Sequence, residues 1–491
     1  MIIPKIAICP ICGKKTYLRI EDGRYLKEYP IRFHCMNCRA LIKGVYIMGT
    51  ADGRNGIHLY NAATEECEVD SNARKIRNAD YVIDISGELP CKMARNFDGN
   101  LISSSPFLEA AGQVDMQERI NRLQLFNYNM DEWRKWRSIA FQLLDEGSIE
   151  YVSTALHNKM GEYAYHCDHY LKSLHCLQEV VQEETKSLFY QPTQEEMIKI
   201  LLSELSGIDR QALHELVMQM GGLQVVVLYY RKIIDVFSSF MEVYPNILPA
   251  ETYLRYKEKA KPDVGIATCS FSDIKTFYQD AYESILSLIF IPVCLDNILI
   301  RGNYQSFNKL YDYLFRRKKY AVLDNDYCRY IALDNGMKLE KLNDAEPVQH
   351  LLNIPANRFL RNGIGHNNIS YDGLTQEITI YDQSDPSVIK LRKQLMDMAI
   401  DCIGLTKTAV IVAEILLFIL RQEVQKEGIH SIIHPKFYKG IQPNDKCACG
   451  SNKKYKKCCK NEVEDILIKY QKTILKQEWL HESERRLLQH L

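Results

Sequence analysis

Arg361-Asn362-Gly363-Ile364-Gly365-His366 sets an arginine, an amide and a histidine within six residues. These side chains suit phosphate chemistry. A guanidinium offers a fixed cationic fork to a phosphodiester, an imidazole titrates near neutral pH, and Asn can orient the imidazole or hold a phosphate oxygen. The spacing is the difficulty: five helical positions turn through about 140°, which would put Arg361 and His366 on different faces. The Gly-Ile-Gly between them is poor helix material, at about 1 kcal/mol per Gly relative to Ala. The expectation is therefore a helix start or a bent turn, where backbone approaches a partner closely. A second copy of the chain across a two-fold axis is another way to bring the groups together. The competing reading is a helix-capping Asn beside a structural His.

Half of the 16 cysteines fall in two sets with metal-ligand spacing. Cys9-Pro10-Ile11-Cys12-Gly13 is answered by Cys35-Met36-Asn37-Cys38. Each Cys-x-x-Cys spans one tight turn, for which Pro10 and Gly13 are suited, and four thiolates close a tetrahedron around Zn2+. Residues 16–20 and 29–33 look like two short strands, so the segment resembles a zinc ribbon, with His34 as a spare ligand. The second set is Cys447, Cys449, Cys458 and Cys459, a Cys-x-Cys followed after eight residues by Cys-Cys. It resembles the SEC-C motif, with Ala448 in place of the usual Pro and Asn452 in place of the second Gly. Lys453, Lys454, Lys456, Lys457 and Lys460 with Tyr455 form a basic aromatic face, and the resemblance implies contact with protein or nucleic acid. The remaining cysteines (Cys67, Cys91, Cys167, Cys176, Cys269, Cys294, Cys328, Cys402) read as buried small apolar residues. His166-Cys167-Asp168-His169 with His175-Cys176 invites a metal reading, but a helical His-x-x-His needs further ligands, and helix polar and core positions describe it as well.

The Arg361–His366 stretch resembles the Arg-Asn-x-x-x-His signature of HEPN-superfamily ribonucleases. That resemblance implies a multi-helix HEPN-like core, metal-independent RNA cleavage by 2′-OH transesterification, a homodimeric site, and a setting such as a toxin or antiviral (abortive infection) effector. In it Arg361, Asn362 and His366 are the catalytic residues. The alternative is a non-catalytic RNA- or protein-binding scaffold carrying two structural zinc modules. A third idea, an export factor suggested by the tail alone, lacks any Walker-type phosphate loop.

The elements that must position these groups are mainly helical. Hydrophobic residues are 46% and charged residues 25% of the 491-residue chain, and 62 basic residues balance 62 acidic ones. A soluble globular protein is expected, with no global field to attract nucleic acid, so RNA contact must come from local patches. No charged segment followed by an apolar core opens the chain, and the strongest apolar run, 409–420, is too short for a span and contains Glu414. The expectation is cytoplasmic, without a membrane partner.

The fold class expected is mainly α, with an N-terminal zinc ribbon and small β region and a C-terminal zinc knuckle. In chain order, 1–105 is the ribbon with a β-rich extension that includes a strand at 80–86. Residues 106–230 are helical at 116–125, 133–144, 149–174 and 197–205. Residues 231–428 hold the HEPN-like helices, with a helix apolar nearly all round at 282–300, a hairpin at 369–381 turning at Asp372-Gly373, and a closing helix from 391 to 420. Within them, Arg316-Arg317-Lys318-Lys319 between aromatics reads either as an RNA-backbone contact or as a solvated face. Residues 440–460 form the C-terminal knuckle and 461–491 an amphipathic helix with Val463, Ile466, Leu467, Tyr470, Ile474 and Leu475 on one face.

Overall fold

The computed structural model describes residues 2–22, 26, 28–48, 56–70, 72–102, 104–160, 170–189, 192–256, 263–352, 354–355, 357–426, 441–447 and 453–465. The chain is about 53% helical, with a small β region at the N-terminus. The face expected from Ile466 to Leu475 and the His166–His169 cluster lie outside the described residues. Two compact units form: Met1–Tyr128, Val236–Glu283 and Ile354–Thr406 make the first, and Asn129–Asp235, Ser284–Asn353 and Lys407–Leu491 the second. Segments 106–230 and 231–428 each contribute to both.

In the first unit β1 (Ile2–Ile8) and β2 (Lys15–Glu21) form one antiparallel hairpin, with Ile2 opposite Glu21. A second hairpin joins β3 (Glu28–His34) to β4 (Leu41–Ile47), with His34 opposite Leu41. Alternation drives both: Tyr29, Ile31 and Phe33 point inward from β3 while their neighbours are more exposed. β5 (Gly56–Leu59) extends the second hairpin and β6 (Ala63–Glu65) pairs with β1. The strand expected at 80–86 is Tyr81–Ile85, parallel to β2. Ile6, Tyr17 and Val82 of this sheet form a buried cluster with Ile76, which lies outside it.

Two further pieces of the same unit carry the central motif. Ile369–Asp372, Glu377–Tyr381 and Ile389–Gln394 form a three-stranded antiparallel sheet in chain order. The hairpin matches the expectation for 369–381. The third strand replaces the start of the closing helix, because Leu391 and Lys393 are half-buried between exposed Lys390, Arg392 and Gln394, a two-residue period. The helix itself starts at Leu395 and runs to Lys426. Arg358–Gly365 is a short helix packed on the second and third of these strands.

In the second unit, Ile149–Met160 packs on Tyr170–Phe189, and Arg210–Met220 on Phe290–Arg301. Asp209 caps Arg210–Met220 by accepting the Ala212 N–H at 2.8 Å, and Gly221 ends it in the left-handed region at φ +110°. The helices expected at 116–125 and 133–144 are one, Met116–Leu144, whose residues to Tyr128 belong to the first unit and the rest to the second. The helix expected at 282–300 lies within Phe271–Arg301, where the hydrogen-bond ladder is interrupted at the single residue Ile289, which keeps right-handed helical dihedrals. Pro292 explains the interruption, since it has no N–H for the Leu288 carbonyl. Buried Asp296 accepts the Val348 and Gln349 N–H groups at 2.7 and 3.0 Å, and burial pushes its carboxyl up to about 6.

Among the described residues, two stretches, Phe271–Arg301 and Leu395–Glu423, are long and apolar enough to cross a membrane by length and composition, with mean hydropathies of 1.9 and 2.2. The run at 409–420 is therefore part of a longer apolar helix than its own length suggests. In the second stretch 89% of the apolar window is buried within the protein, and it buries Asp401, Glu414 and Arg421.

Candidate functional site

The whole central motif lies on the helix Arg358–Gly365, with His366 as its C-terminal cap. Asn357 starts the helix by accepting the Phe359 and Leu360 N–H groups at 2.9 and 3.2 Å. Its own N–H donates to the Tyr278 hydroxyl at 3.0 Å. Leu360 and Gly363, three positions apart, are the buried face. The helix ends in a Schellman motif: Asn367 adopts φ +58°, the Asn368 N–H donates to the Gly363 carbonyl at 2.9 Å, and the Asn367 N–H to that of Ile364 at 3.3 Å. The expected bent turn is thus a full short helix, made tolerable by what Gly363 does. A Cβ there would lie 2.8 Å from Cγ2 of Ile380, itself 2% exposed. Gly363→Ala should cost about 1–3 kcal/mol in overpacking, less about 1 kcal/mol returned in helix propensity. A urea midpoint no lower than wild type would show that the helix does not sit against Ile380 as described.

Arg361 is half-buried, and its Nε donates to Oε1 of Glu283. Its Nη1 donates to Oδ1 of Asn362 at 3.2 Å, and Nη2 has no protein partner among the described residues. A Cβ on Gly365 would lie 3.9 Å from both Arg361 Nη1 and Gln279 Nε2, so the guanidinium lies against the last helical turn. Asn362 and His366 are exposed. No hydrogen bond joins the Arg361 and His366 side chains within one chain among the described residues. The Arg361 guanidinium is held by Glu283, which no local sequence signal links to a motif 78 positions further on.

The N-terminal cysteines do converge. Cys9, Cys12, Cys35 and Cys38 place all four sulfurs within 4.8 Å of one another. Cys9 and Cys38 are 3.5 Å apart, and Cys12 and Cys35 3.6 Å. Four thiolates at about 2.3 Å from a tetrahedral Zn2+ would be roughly 3.8 Å apart, so the set fits such an ion. The two knuckles are built alike. Gly13 N–H donates to the Cys9 carbonyl at 3.0 Å with φ +70°, and Arg39 N–H to the Cys35 carbonyl at 2.9 Å with φ +62°. The Lys14 backbone N–H lowers the Cys12 thiol to about 6, whereas burial pushes Cys35 up to about 12. His34 is not in the set: its Nδ1 meets the Arg39 carbonyl at 2.8 Å.

At the other end Cys447, Cys458 and Cys459 form a second group with sulfurs within 4.8 Å, and Cys449 lies outside the described residues. The Cys447 N–H donates to the Lys453 carbonyl and the Tyr455 N–H to the Asp445 carbonyl, both at 2.8 Å, closing the knuckle. Tyr455 is buried, so it belongs to the knuckle's interior and not to a basic aromatic face; Lys453, Lys454, Lys456 and Lys457 are exposed. Both cysteine groups can hold a metal ion. Comparisons with protein families, with curated proteins and with solved structures find nothing that matches this chain.

Proposed function

We propose that the chain is a metal-independent RNA endonuclease of HEPN type whose two ends are folded around structural Zn2+. The observation that carries this reading is the short helix that presents Arg361, with Nη2 unengaged among the described residues, and exposed Asn362 and His366 at its end. His366 acts as base on the 2′-OH or as acid to the leaving 5′-oxygen, and the two roles fall to two imidazoles in a homodimer. Arg361 stabilises the charge that grows on the five-coordinate phosphorus, and Asn362 orients phosphate or imidazole. The proton leaves the 2′-OH, the 2′-oxygen bonds to phosphorus, and the 5′-oxygen departs with a proton, leaving a 2′,3′-cyclic phosphate. The cysteine sets take no part in that step. Four-thiolate coordination is closed, so Zn2+ would supply a cross-link at the N-terminal set, and at the C-terminal set a knuckle that offers its lysines to a protein partner.

The ion pair of Arg361 with Glu283 favours a second reading, in which Arg361 is structural and the protein is a non-catalytic RNA- or protein-binding scaffold. Cleavage decides between them. Wild type, Arg361→Ala and His366→Ala are incubated with total RNA in EDTA and the 5′ fragments analysed for cyclic phosphate. The nuclease reading expects each substitution to lower the rate about 10²–10⁴-fold. Equal inertness of all three, with growth unaffected when wild type is expressed in cells, would favour the scaffold.

A further inference from the structure

The second unit has a surface that the proposed chemistry does not use. Arg316, Arg317, Lys318 and Lys319 are consecutive and all exposed. None of the four has a carboxylate partner among the described residues, and Asp312 and Asp324 flank the run without pairing to it. Three other arginines of this unit that reach the surface are ion-paired: Arg231 with Asp145 and Asp235, Arg301 with Glu346, Arg329 with Asp326. A solvated face would be expected to interleave its signs in the same way. Four adjacent like charges repel one another, a cost that water and salt reduce and that an anionic partner removes most fully.

Tyr313 says which partner. Its ring is 70% exposed, and the Arg317 guanidinium lies 5.0 Å from its centroid. Lys309, also exposed and without an ion pair among the described residues, begins the short helical turn that leads into the Tyr313 helix. An open aromatic face backed by cations matches a polymer that alternates flat bases with phosphates. A duplex keeps its base faces stacked inside, and a lipid headgroup offers no flat ring.

We infer that the surface formed by Lys309, Tyr313 and Arg316–Lys319 is a binding site for single-stranded nucleic acid, separate from the Arg361–His366 site. The backbone lies along the four cations and one base stacks on Tyr313. Such contact is tolerant of sequence, because it reads charge and a π-face.

The test uses the full chain carrying His366→Ala, so that any RNA stays intact. Fluorescence anisotropy follows labelled oligo(U), oligo(dT) and a duplex of equal length over a salt series. Substituting all four cations by Glu should reduce the slope of log K against log salt by roughly three, at about 0.7 per phosphate contact for a single strand. Tyr313→Ala should weaken binding roughly ten-fold with the slope unchanged. Equal binding to oligo(U) and oligo(dT) is expected from a site that reads no 2′-OH. Far-UV circular dichroism checks that the variants are folded. The inference is overturned by no oligonucleotide binding at all, by a four-site variant that keeps the wild-type slope, by a duplex binding as tightly as the single strands, or by displacement with phosphatidylserine vesicles alone. Cleavage is scored separately with the wild-type chain, so failure of this surface and failure of the Arg361–His366 chemistry are read independently.

Discussion

Cys35→Ser is expected to unfold the two N-terminal hairpins at their knuckles and to remove bound zinc. Cys35 is fully buried, and its sulfur is one corner of the four-sulfur set. Replacing thiolate by hydroxyl leaves three ligands and a buried hydroxyl facing a cation. Structural zinc contributes on the order of 10 kcal/mol to folding in isolated finger peptides. Here the loss should be smaller, roughly half, because the hairpins keep apolar support: Ile6, Leu18, Ile20, Ile31 and Ile42 are fully buried and β2 is joined to Tyr81–Ile85. Elemental analysis should find zinc in wild type and less in the variant. Hydrogen exchange should speed up first at 9–14 and 35–40, where Gly13 and Arg39 hold positive φ. Cys67→Ser, at a half-buried cysteine outside the set, is the control and should change neither. Wild type without zinc, or a Cys35→Ser protein with unchanged exchange at both knuckles, would refute the assignment.

What could be read from the sequence was local. A Cys-x-x-Cys knuckle is closed by hydrogen bonds within five residues, so spacing alone reveals it. The turn at Asp372-Gly373 is also local: Asp372 accepts the Leu374 and Thr375 N–H groups at 2.8 and 3.3 Å. What was hidden depends on distant partners. The parallel pairing of β2 with Tyr81–Ile85 brings Arg19 against Asp84, both buried, and neither residue advertises the other. The strand Ile389–Gln394 is short and half polar, and a neighbouring apolar helix overwhelms its pattern in any window.

The central motif divides the same way. Its residue types suggested phosphate chemistry, and its two glycines suggested a bend. The helix forms nonetheless, since Gly363 is needed for approach to Ile380, and the stop signal is Asn367 in the left-handed region. Asn tolerates that region better than most residues, so the helix end was written in the sequence while the ion pair with Glu283 was not.

Acidification should destabilise the second unit through His175. The Tyr170–Phe189 helix buries Leu174, His175, Leu177, Gln178 and Glu179 in nearly consecutive positions, so the imidazole is held in the interior. Its Nε2 has no hydrogen-bond partner among the described residues; Glu179 Oε1 is 3.8 Å away, and buried Arg421 supplies a neighbouring positive charge. Burial first and Arg421 second lower His175 to about 3 from an ordinary 6.5. A lowered folded value means that the unfolded chain binds the proton more readily. The contribution is therefore complete above pH 6.5 and is lost as pH falls toward about 3. At 1.36 kcal/mol per unit, the ceiling is about 5 kcal/mol, with roughly 2 kcal/mol gone by pH 5. Asp296 works against it in the same unit: its carboxyl is raised to about 6, so its contribution grows on acidification and is lost as pH rises through 6. A raw stability curve would mix the two, and the informative quantity is the difference between wild type and His175→Gln. Urea unfolding at pH 7, 6 and 5 should show the gap between them shifting in favour of the variant by about 2 kcal/mol. Parallel curves across that range would mean that His175 takes up its proton in the folded state as easily as in the unfolded one.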